Sequence, residues 1–581
     1  MSHILSRVVS KLGFATTFLL GAAVGNQVRN HRCQVPLISE GGSTVELRQE
    51  YADEWFIEEK RSSIIGKIYG HLQALSVTTS PPNSLTRSFT HIGKAMCQQY
   101  LQCRGLLKNS SEHWLQDWVN EADWIDTVDF WTRLPSLETF HSPTYSATLF
   151  AGVRALWYMS YSADFNKENY FLDADLAVTL KEVVEEKDDY ATPLTLKIIA
   201  NVIAMQKNLH LLHETGLLDT LTHCASNKES HIFLPAWRGL HNLKLINNKG
   251  SGHGDLYLEG VYPFVLPDEE KSPVVDIILV HGIKGGAAWT WRQHDKGKHK
   301  PLLSQEKRKE ILSGKHIDGI DDFYTCCWPL DWLVPTLNMP VRVIAVNYRC
   351  GWWKWETDCP VESRGKSITN HSRDLAYALK VAGVGKRPII WISHSMGGLL
   401  VKNMLLMDLQ SKASVEDKAL AEGHSKEKIS SQANDGEWVI KNSLARQTVA
   451  TIFFSVPHHG SPLATSVTQG MLRQLLRPTT ELFDMRTDNP VLHHLHQSFV
   501  SLMKARDIAV LTLNESEPVK HKTTGYPLHF VPSEYGDPGV GVFHEVNATH
   551  LDICKPLNRK AESYCKVVSF LQAALSHPCS S

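Results

Sequence analysis

The sequence has no surplus of charge: 60 Lys+Arg stand against 61 Asp+Glu, a formal net charge of -1 over 581 residues. Without a basic excess nothing draws the chain to a polyanion, and a nucleic-acid partner is excluded from the expectations. Cysteine pairs at metal or redox spacing are also missing. The eleven cysteines are odd in number and scattered, with no C-x-x-C. That excludes a zinc ribbon or thioredoxin-like site and argues against a secreted disulfide framework, so the adjacent Cys326 and Cys327 are expected to be reduced thiols. No nucleotide, flavin or metal motif stands out, and neither cofactor nor metal is expected.

Long hydrophobic runs and early acids are scarce as well. The N-terminal run Leu12–Gly25 (LGFATTFLLGAAVG) has 14 residues, whereas roughly 20 are needed to cross a bilayer untilted. No Asp or Glu precedes Glu40, while Arg7, Lys11, Arg29 and Arg32 flank the run. This pattern predicts a hydrophobic targeting or anchor segment over residues 1–40, held at a membrane. An import potential pulls positive charge inward, so mitochondria are the expected address, with the endoplasmic reticulum second. Of four N-x-S/T sequons, Asn514 and Asn547 fall beside candidate site residues, where a glycan would block a pocket.

Residues 50–250 carry apolar positions at three- and four-residue spacing and are expected to be helical. TLKIIANVIA, from Thr195, is echoed by PAWRGLHNLK, from Pro235, placing Asn201 and Asn242 forty-one residues apart. A weaker copy begins at Ala151. A period of about 40 is that of armadillo-like stacked helices, which offer a concave surface to a protein partner. A plain helical bundle is the competing reading.

After Gly250 the pattern changes. VVDIILVHG (from Val274), VRVIAVNY (from Val341), PIIWIS (from Pro388), VATIFFS (from Val449), IAVLTLN (from Ile508) and PLHFV (from Pro527) read as strands. Helices separate them, among them ITNHSRDLAYALK from Ile368, with Thr369 or Asn370 as cap. Near-continuous apolar strands alternating with helices predict an α/β fold with a mostly parallel sheet over residues 255–581. A polar stretch around 408–445, rich in Ser, Lys and Glu, is expected to be an exposed insertion.

Chemistry concentrates in WISHSMGGLL, from Trp391. A serine on a tight strand-to-helix turn, near a histidine base, is the nucleophile elbow of the α/β-hydrolases. Ser395 takes the nucleophile's place, although Ser393 stands where the usual G-x-S-x-G pattern has its first glycine. Gly397 and Gly398 supply the small neighbours on the other side. One oxyanion-hole N–H is expected from Met396. The second is expected from Ile283 or Lys284 in the glycine-rich loop HGIKGGAAW, from His281. His281 itself is read as structural, because the base should come late in the order Ser…Asp/Glu…His. That order points to His550, with His544, His529 and the histidines of VLHHLH (from Val491) as competitors, the last read as a helix surface. The acid is expected just past the strand from Ile508, at Glu515, with Glu517, Asp537 and Asp552 as alternatives. Trp289, Trp291, Trp352, Trp353 and Trp355 are candidates to grip acyl chains at the mouth of the site.

On VHG from Val280, WPLDWL from Trp328, SHSMGG from Ser393, SVPHHGSP from Ser455 and THLDICK from Thr549, the chain resembles lipase-like serine α/β-hydrolases. That group includes the glycosylphosphatidylinositol-deacylase-like proteins. With its anchor and helical middle, the chain is similar to members placed at mitochondria–endoplasmic reticulum contacts. The resemblance implies a phospholipid substrate, phosphatidylglycerol remodelling that feeds bis(monoacylglycero)phosphate, and an effect on cholesterol trafficking. It also carries the roles of nucleophile, base and acid onto Ser395, His550 and Glu515, and the family tolerates a non-glycine before its His-Ser pair. The rival expectation is an inert, membrane-anchored scaffold supporting mitochondrial lipid or metabolite transport, serine included.

Overall fold

A computed structural model describes scattered positions between 153 and 161. It then describes, with short interruptions, residues 174–294, 325–350, 367–421, 442–520 and 527–576. The proposed anchor over 1–40 and most of the first half of the helical region lie outside the described residues.

Four helices, α1 (Ala174–Glu185), α2 (Ala191–Ala204), α3 (Leu217–Ala225) and α4 (Ser230–Lys249), pack on a shared apolar core that includes Leu180, Ile199, Leu221 and Ala236. The forty-one-residue echo has a physical counterpart in buried amides. Asn201 donates to Ser160 Oγ at 2.7 Å, forty-one positions back. Asn242 both donates to and accepts from the Tyr257 backbone at 2.9 Å.

The second part is a seven-stranded sheet. Its strands are β1 (Val261–Val265), β2 (Val275–Val280), β3 (Val341–Val346), β4 (Ile389–His394), β5 (Thr448–Phe454), β6 (Ala509–Glu515) and β7 (Val542–Val546). Their order is β1-β3-β2-β4-β5-β6-β7, with β1 antiparallel and every other neighbour parallel. β2, β3 and β4 are buried throughout because both faces are covered. On one face Ile278, Val280, Ile344 and Trp391 meet α5 (Ile368–Val381), α6 (Met396–Ala421) and α7 (Pro490–Ala505). On the other, Ile277, Leu279, Ile392 and Phe454 meet Trp291, Trp328 and α8 (Glu562–Ser576). Alternate residues of each strand thus feed two separate cores.

Several expectations are corrected. Pro527–Leu528 does not extend the sheet; it pairs with Val519–Lys520 in a two-stranded ribbon. The seventh strand is VFHEV, in which only Val546 is buried on this edge, and so it lacks the apolar run that marks the inner strands. β1, interrupted by Pro263, is an edge strand that the sequence reading missed. α5 is capped by Ser367, whose hydroxyl accepts from the Asn370 N–H at 3.2 Å, not by Thr369 or Asn370. The polar stretch from 408 opens as continued α6. Asp408 is buried, ion-paired with Lys380 at 2.5 Å and hydrogen-bonded to Ser443 at 2.7 Å; residues 422–441 lie outside the described residues.

Candidate active site

The carboxyl ends of parallel strands leave a crevice along one edge of the sheet, and that edge gathers the site. β4 ends at His394 and α6 begins at Met396, leaving Ser395 alone on the turn at φ 52°. A left-handed backbone costs a non-glycine residue about 1–3 kcal/mol, so the surroundings must enforce it. Ser395 N–H donates to the Phe454 carbonyl at 2.9 Å, and Gly398 N–H donates to the Ser395 carbonyl at 3.1 Å. A Cβ on Gly397 would stand 2.4 Å from the His281 carbonyl oxygen, and one on Gly398 2.4 Å from Val456 Cγ2. A Cβ on Gly282 would stand 2.7 Å from Ser395 Cβ. Glycine is therefore required at 282, 397 and 398. It is not required at 393, where Ser393 lies buried on β4 with its hydroxyl donating to the Ile452 carbonyl at 3.3 Å.

His550 follows β7 and reaches back to the elbow. Its Nε2 lies 3.1 Å from Ser395 Oγ, and its Nδ1 lies 2.5 Å from Glu515 Oε2. An ionised carboxylate only accepts, so Nδ1 carries the proton and Nε2 is the acceptor facing the serine hydroxyl. Glu515 is the last residue of β6 and 2% exposed. Its other oxygen accepts the N–H groups of Phe530 and Val531, each at 3.0 Å. Burial pushes this carboxyl up, but His550 and these donors outweigh it and hold the group below its ordinary value. Glu517 and Asp537 are exposed, and Asp552 accepts from Thr549 Oγ1 at 2.7 Å; none of the three meets His550. His529 and His544 also stand apart from the serine.

The loop after β2 is locked from below. Tyr348 stacks on His281 at 4.3 Å, its hydroxyl donates to the His281 carbonyl, and its N–H donates to His281 Nε2 at 3.3 Å. His281 Nδ1 donates in turn to the Gly282 carbonyl at 2.8 Å. Burial pushes the His281 imidazole down to about 4, so it stays neutral and structural, as read from the sequence. Gly285 N–H closes a tight turn on the Gly282 carbonyl at 3.0 Å around Ile283 and Lys284, with Lys284 at φ 55°. Met396 opens α6, where first-turn N–H groups have no partner within the helix.

Three contributors escaped the sequence reading. Phe530 stacks on His550 with centroids 4.9 Å apart and planes within 10°. Ser455, directly after β5 at φ 43°, accepts the Glu515 N–H at 3.0 Å. His394 Nε2 donates to the His550 carbonyl at 2.9 Å. Only His394 had a local signal, its place beside Ser395. The tryptophans divide. Trp289 is 45% exposed under Arg292, but Trp291 is fully buried against Trp328 and Phe454, and is core, not mouth. Trp352, Trp353 and Trp355 lie outside the described residues. Asn514 is buried with its amide donating to the Val531 carbonyl at 3.0 Å, so its sequon is inaccessible in the folded chain.

No family model matches the chain. Protein SERAC1 of Danio rerio is 31% identical over 384 residues, covering 65% of this chain and 50% of the relative. The Mus musculus protein of that name is 33% identical over 384 residues (66% and 51%), and the Homo sapiens one 34% over 321 residues (55% and 42%). The chain thus spans about half the length of these relatives. Among solved structures, the propeptide form of Bacillus licheniformis lipase BlEst2 aligns at a TM-score of 0.31 with 12% identity, covering 53% of this chain and 54% of the lipase. Phospholipase PlaB of Legionella pneumophila aligns at 0.28 with 13% identity, covering 52% and 62%. Likenesses that faint carry no weight beside the strand order and the elbow. At 31–34% identity the chain is similar to the SERAC1 proteins, and its mostly parallel strand order, with Ser395, His550 and Glu515 in hydrogen-bonded contact, is that of an α/β-hydrolase-like fold.

Proposed function

We propose that the chain is a serine acyl-hydrolase or transacylase acting on glycerophospholipids, and that its work is phosphatidylglycerol remodelling at mitochondria–endoplasmic reticulum contacts. On this reading it supplies acyl-exchanged lipid for bis(monoacylglycero)phosphate and so affects cholesterol trafficking. The observation that carries the chemistry is the unbroken relay from Ser395 Oγ through His550 to Glu515, at 3.1 and 2.5 Å. The resemblance noted from the sequence supplies the lipid, and the N-terminal segment the membrane.

In this reaction Ser395 Oγ attacks the ester carbonyl as its proton passes to His550 Nε2. Glu515 stabilises the imidazolium and holds the ring in the tautomer that accepts at Nε2. The carbonyl oxygen, now an anion, is met by the Met396 N–H and by an N–H of the Ile283–Lys284 turn. Each such donor is worth about 10²–10³ in rate. His550 returns the proton to the departing lysolipid. Water or a second lysolipid hydroxyl then takes the acyl group from Ser395, restoring the serine.

Labelling with a fluorophosphonate tests the activated serine without requiring its substrate. Wild-type protein is expected to label and Ser395→Ala not; a wild type that stays unlabelled overturns the reading. Phosphatidylglycerol turnover that is equal in the two proteins would reject Ser395 as nucleophile. Full rescue of deficient cells by Ser395→Ala would point to the scaffold.

A further inference from the structure

A catalytic histidine on a loop needs something rigid to hold it. Glu515 and Phe530 grip the His550 ring, but the backbone that carries the ring has a separate anchor. His394 ends β4, where its Cα pairs with Phe454, and it is 7% exposed. Its Nε2 lies 2.9 Å from the carbonyl oxygen of His550, across 156 residues of sequence. A carbonyl only accepts, so Nε2 is the protonated nitrogen and Nδ1 bears the lone pair. That second nitrogen faces the oxyanion loop: a Cβ on Gly282 would lie 3.1 Å from it.

Resting on the reading of Ser395 as the nucleophile, we infer that His394 is a positioning residue. Its Nε2–H ties the backbone of the base to the strand that presents the nucleophile, fixing the Ser395–His550 separation. The two imidazoles stand 4.9 Å apart and tilted by 45°. When the base takes the serine proton, it gains its charge beside this second ring. Burial, and then His550 itself, push the His394 imidazole well below the ordinary histidine range. The neighbour therefore stays neutral, and the transient imidazolium meets no second cation. A rigid neutral donor at this point serves geometry and electrostatics together.

The test compares fluorophosphonate labelling rates of wild type, His394→Gln, His394→Asn and His394→Phe, with thermal midpoints measured alongside. Glutamine places an N–H near the position of Nε2, whereas asparagine falls short and phenylalanine has no donor. His394→Gln is expected to label within about threefold of wild type. His394→Asn and His394→Phe are expected to slow by about 10²-fold, the scale set by misplacing a reacting group by about 1 Å. Wild-type rates in His394→Asn or His394→Phe would overturn the inference. Equal slowing of all three variants would overturn it too, because packing and not the N–H would then matter. Should His394→Phe fail to fold, the glutamine–asparagine contrast decides alone. A wild type that does not label at all refutes the nucleophile instead, so the two failures are distinguishable.

Discussion

Ser395 keeps a left-handed backbone that only its surroundings sustain, and the same economy governs the acid. Glu515 is identified by what it touches, since Glu517 two residues later is chemically equivalent but exposed. Glu515→Gln is expected to cut acyl transfer by roughly 10³–10⁴-fold, as loss of the orienting carboxylate leaves the base in the wrong tautomer. Glu517→Gln and Asp537→Asn are expected to stay within a fewfold of wild type, and ester-hydrolysis kinetics on the three variants separates the candidates. The acid side of the stability profile has a matching sign. The folded carboxyl lies below its ordinary value, so its contribution is present above that value and is lost as pH falls through the folded one. Ser395 and His550 could be read from motif and order, because the elbow is local and the chain order of the triad is invariant in this architecture. Glu515 could only be ranked: its hydrogen bonds to residues 530, 531 and 550 are long-range contacts that no spacing reveals.

At the scale of elements, the inner strands were legible and the edges were not. β2, β3 and β4 announce themselves as unbroken apolar runs because both faces are buried. β1 and β7 have one neighbour each; Pro263 breaks the strand pattern of β1, and β7 buries only Val546, so both read as loop. α6 holds a different surprise. Lys402 falls inside its apolar stretch and is fully buried, with Nζ 3.0 Å from His496 Nδ1 and 5.0 Å from the Phe499 ring. His496 belongs to the cluster read as helix surface, so that reading is corrected: His493 and His494 are exposed, but His496 faces inward. His458 and His459, from the loop after β5, complete the group, with His459 4.3 Å from His496. Burial pushes the Lys402 amine well below its usual range. Burial, then Lys402, His459 and His493, push His496 to about 3. Both are bases with depressed folded values, so the unfolded chain binds more protons over the interval between. Through His496, stability should therefore fall as pH drops from about 6.5 to about 3, while the loss through Lys402 sets in higher, as pH drops below 10.5. Lys402→Met/His496→Leu is expected to flatten that fall in urea denaturation at stepped pH. An unchanged slope would show that the cluster does not titrate as described.

For the whole molecule, the question is how the helical part is joined to the sheet. Arg238 on α4 is fully buried and donates through Nη2 to the Lys197 carbonyl, Asn201 Oδ1 and Glu259 Oε2, at 3.1, 2.7 and 2.9 Å. Glu259 precedes β1 by one turn, and Trp237 Nε1 reaches the Pro263 carbonyl at 3.1 Å. The repeat asparagines are thus part of a seam: Asn201 supports the arginine, and Asn242 clamps Tyr257. Arg238→Met leaves the nearly buried Glu259 carboxylate with Lys197, 3.9 Å away, as its remaining cation among the described residues, beside the Trp157 and Tyr262 side chains. Removing one partner of a buried ion pair costs about 3–5 kcal/mol. Equilibrium denaturation is expected to show that loss, and limited proteolysis to cut first near residue 250. A loss below about 1 kcal/mol would mark the pair as no stronger than a surface one.

The amino-acid sequence by itself determined the class of fold and marked Ser395, His550 and the glycine-rich loop from His281 as the candidate nucleophile, base and oxyanion loop. Those features depend on short-range pattern: apolar runs, a turn that admits only small neighbours, and chain order. Only the tertiary structure decided between four carboxylates, moved the last strand to Val542–Val546, took Trp291 from the mouth into the core, and brought His394 against the base. Each of those outcomes turns on which distant segments share an edge or a face. Burial and hydrogen-bond partners across tens to hundreds of residues settle that, and periodicity along the chain does not.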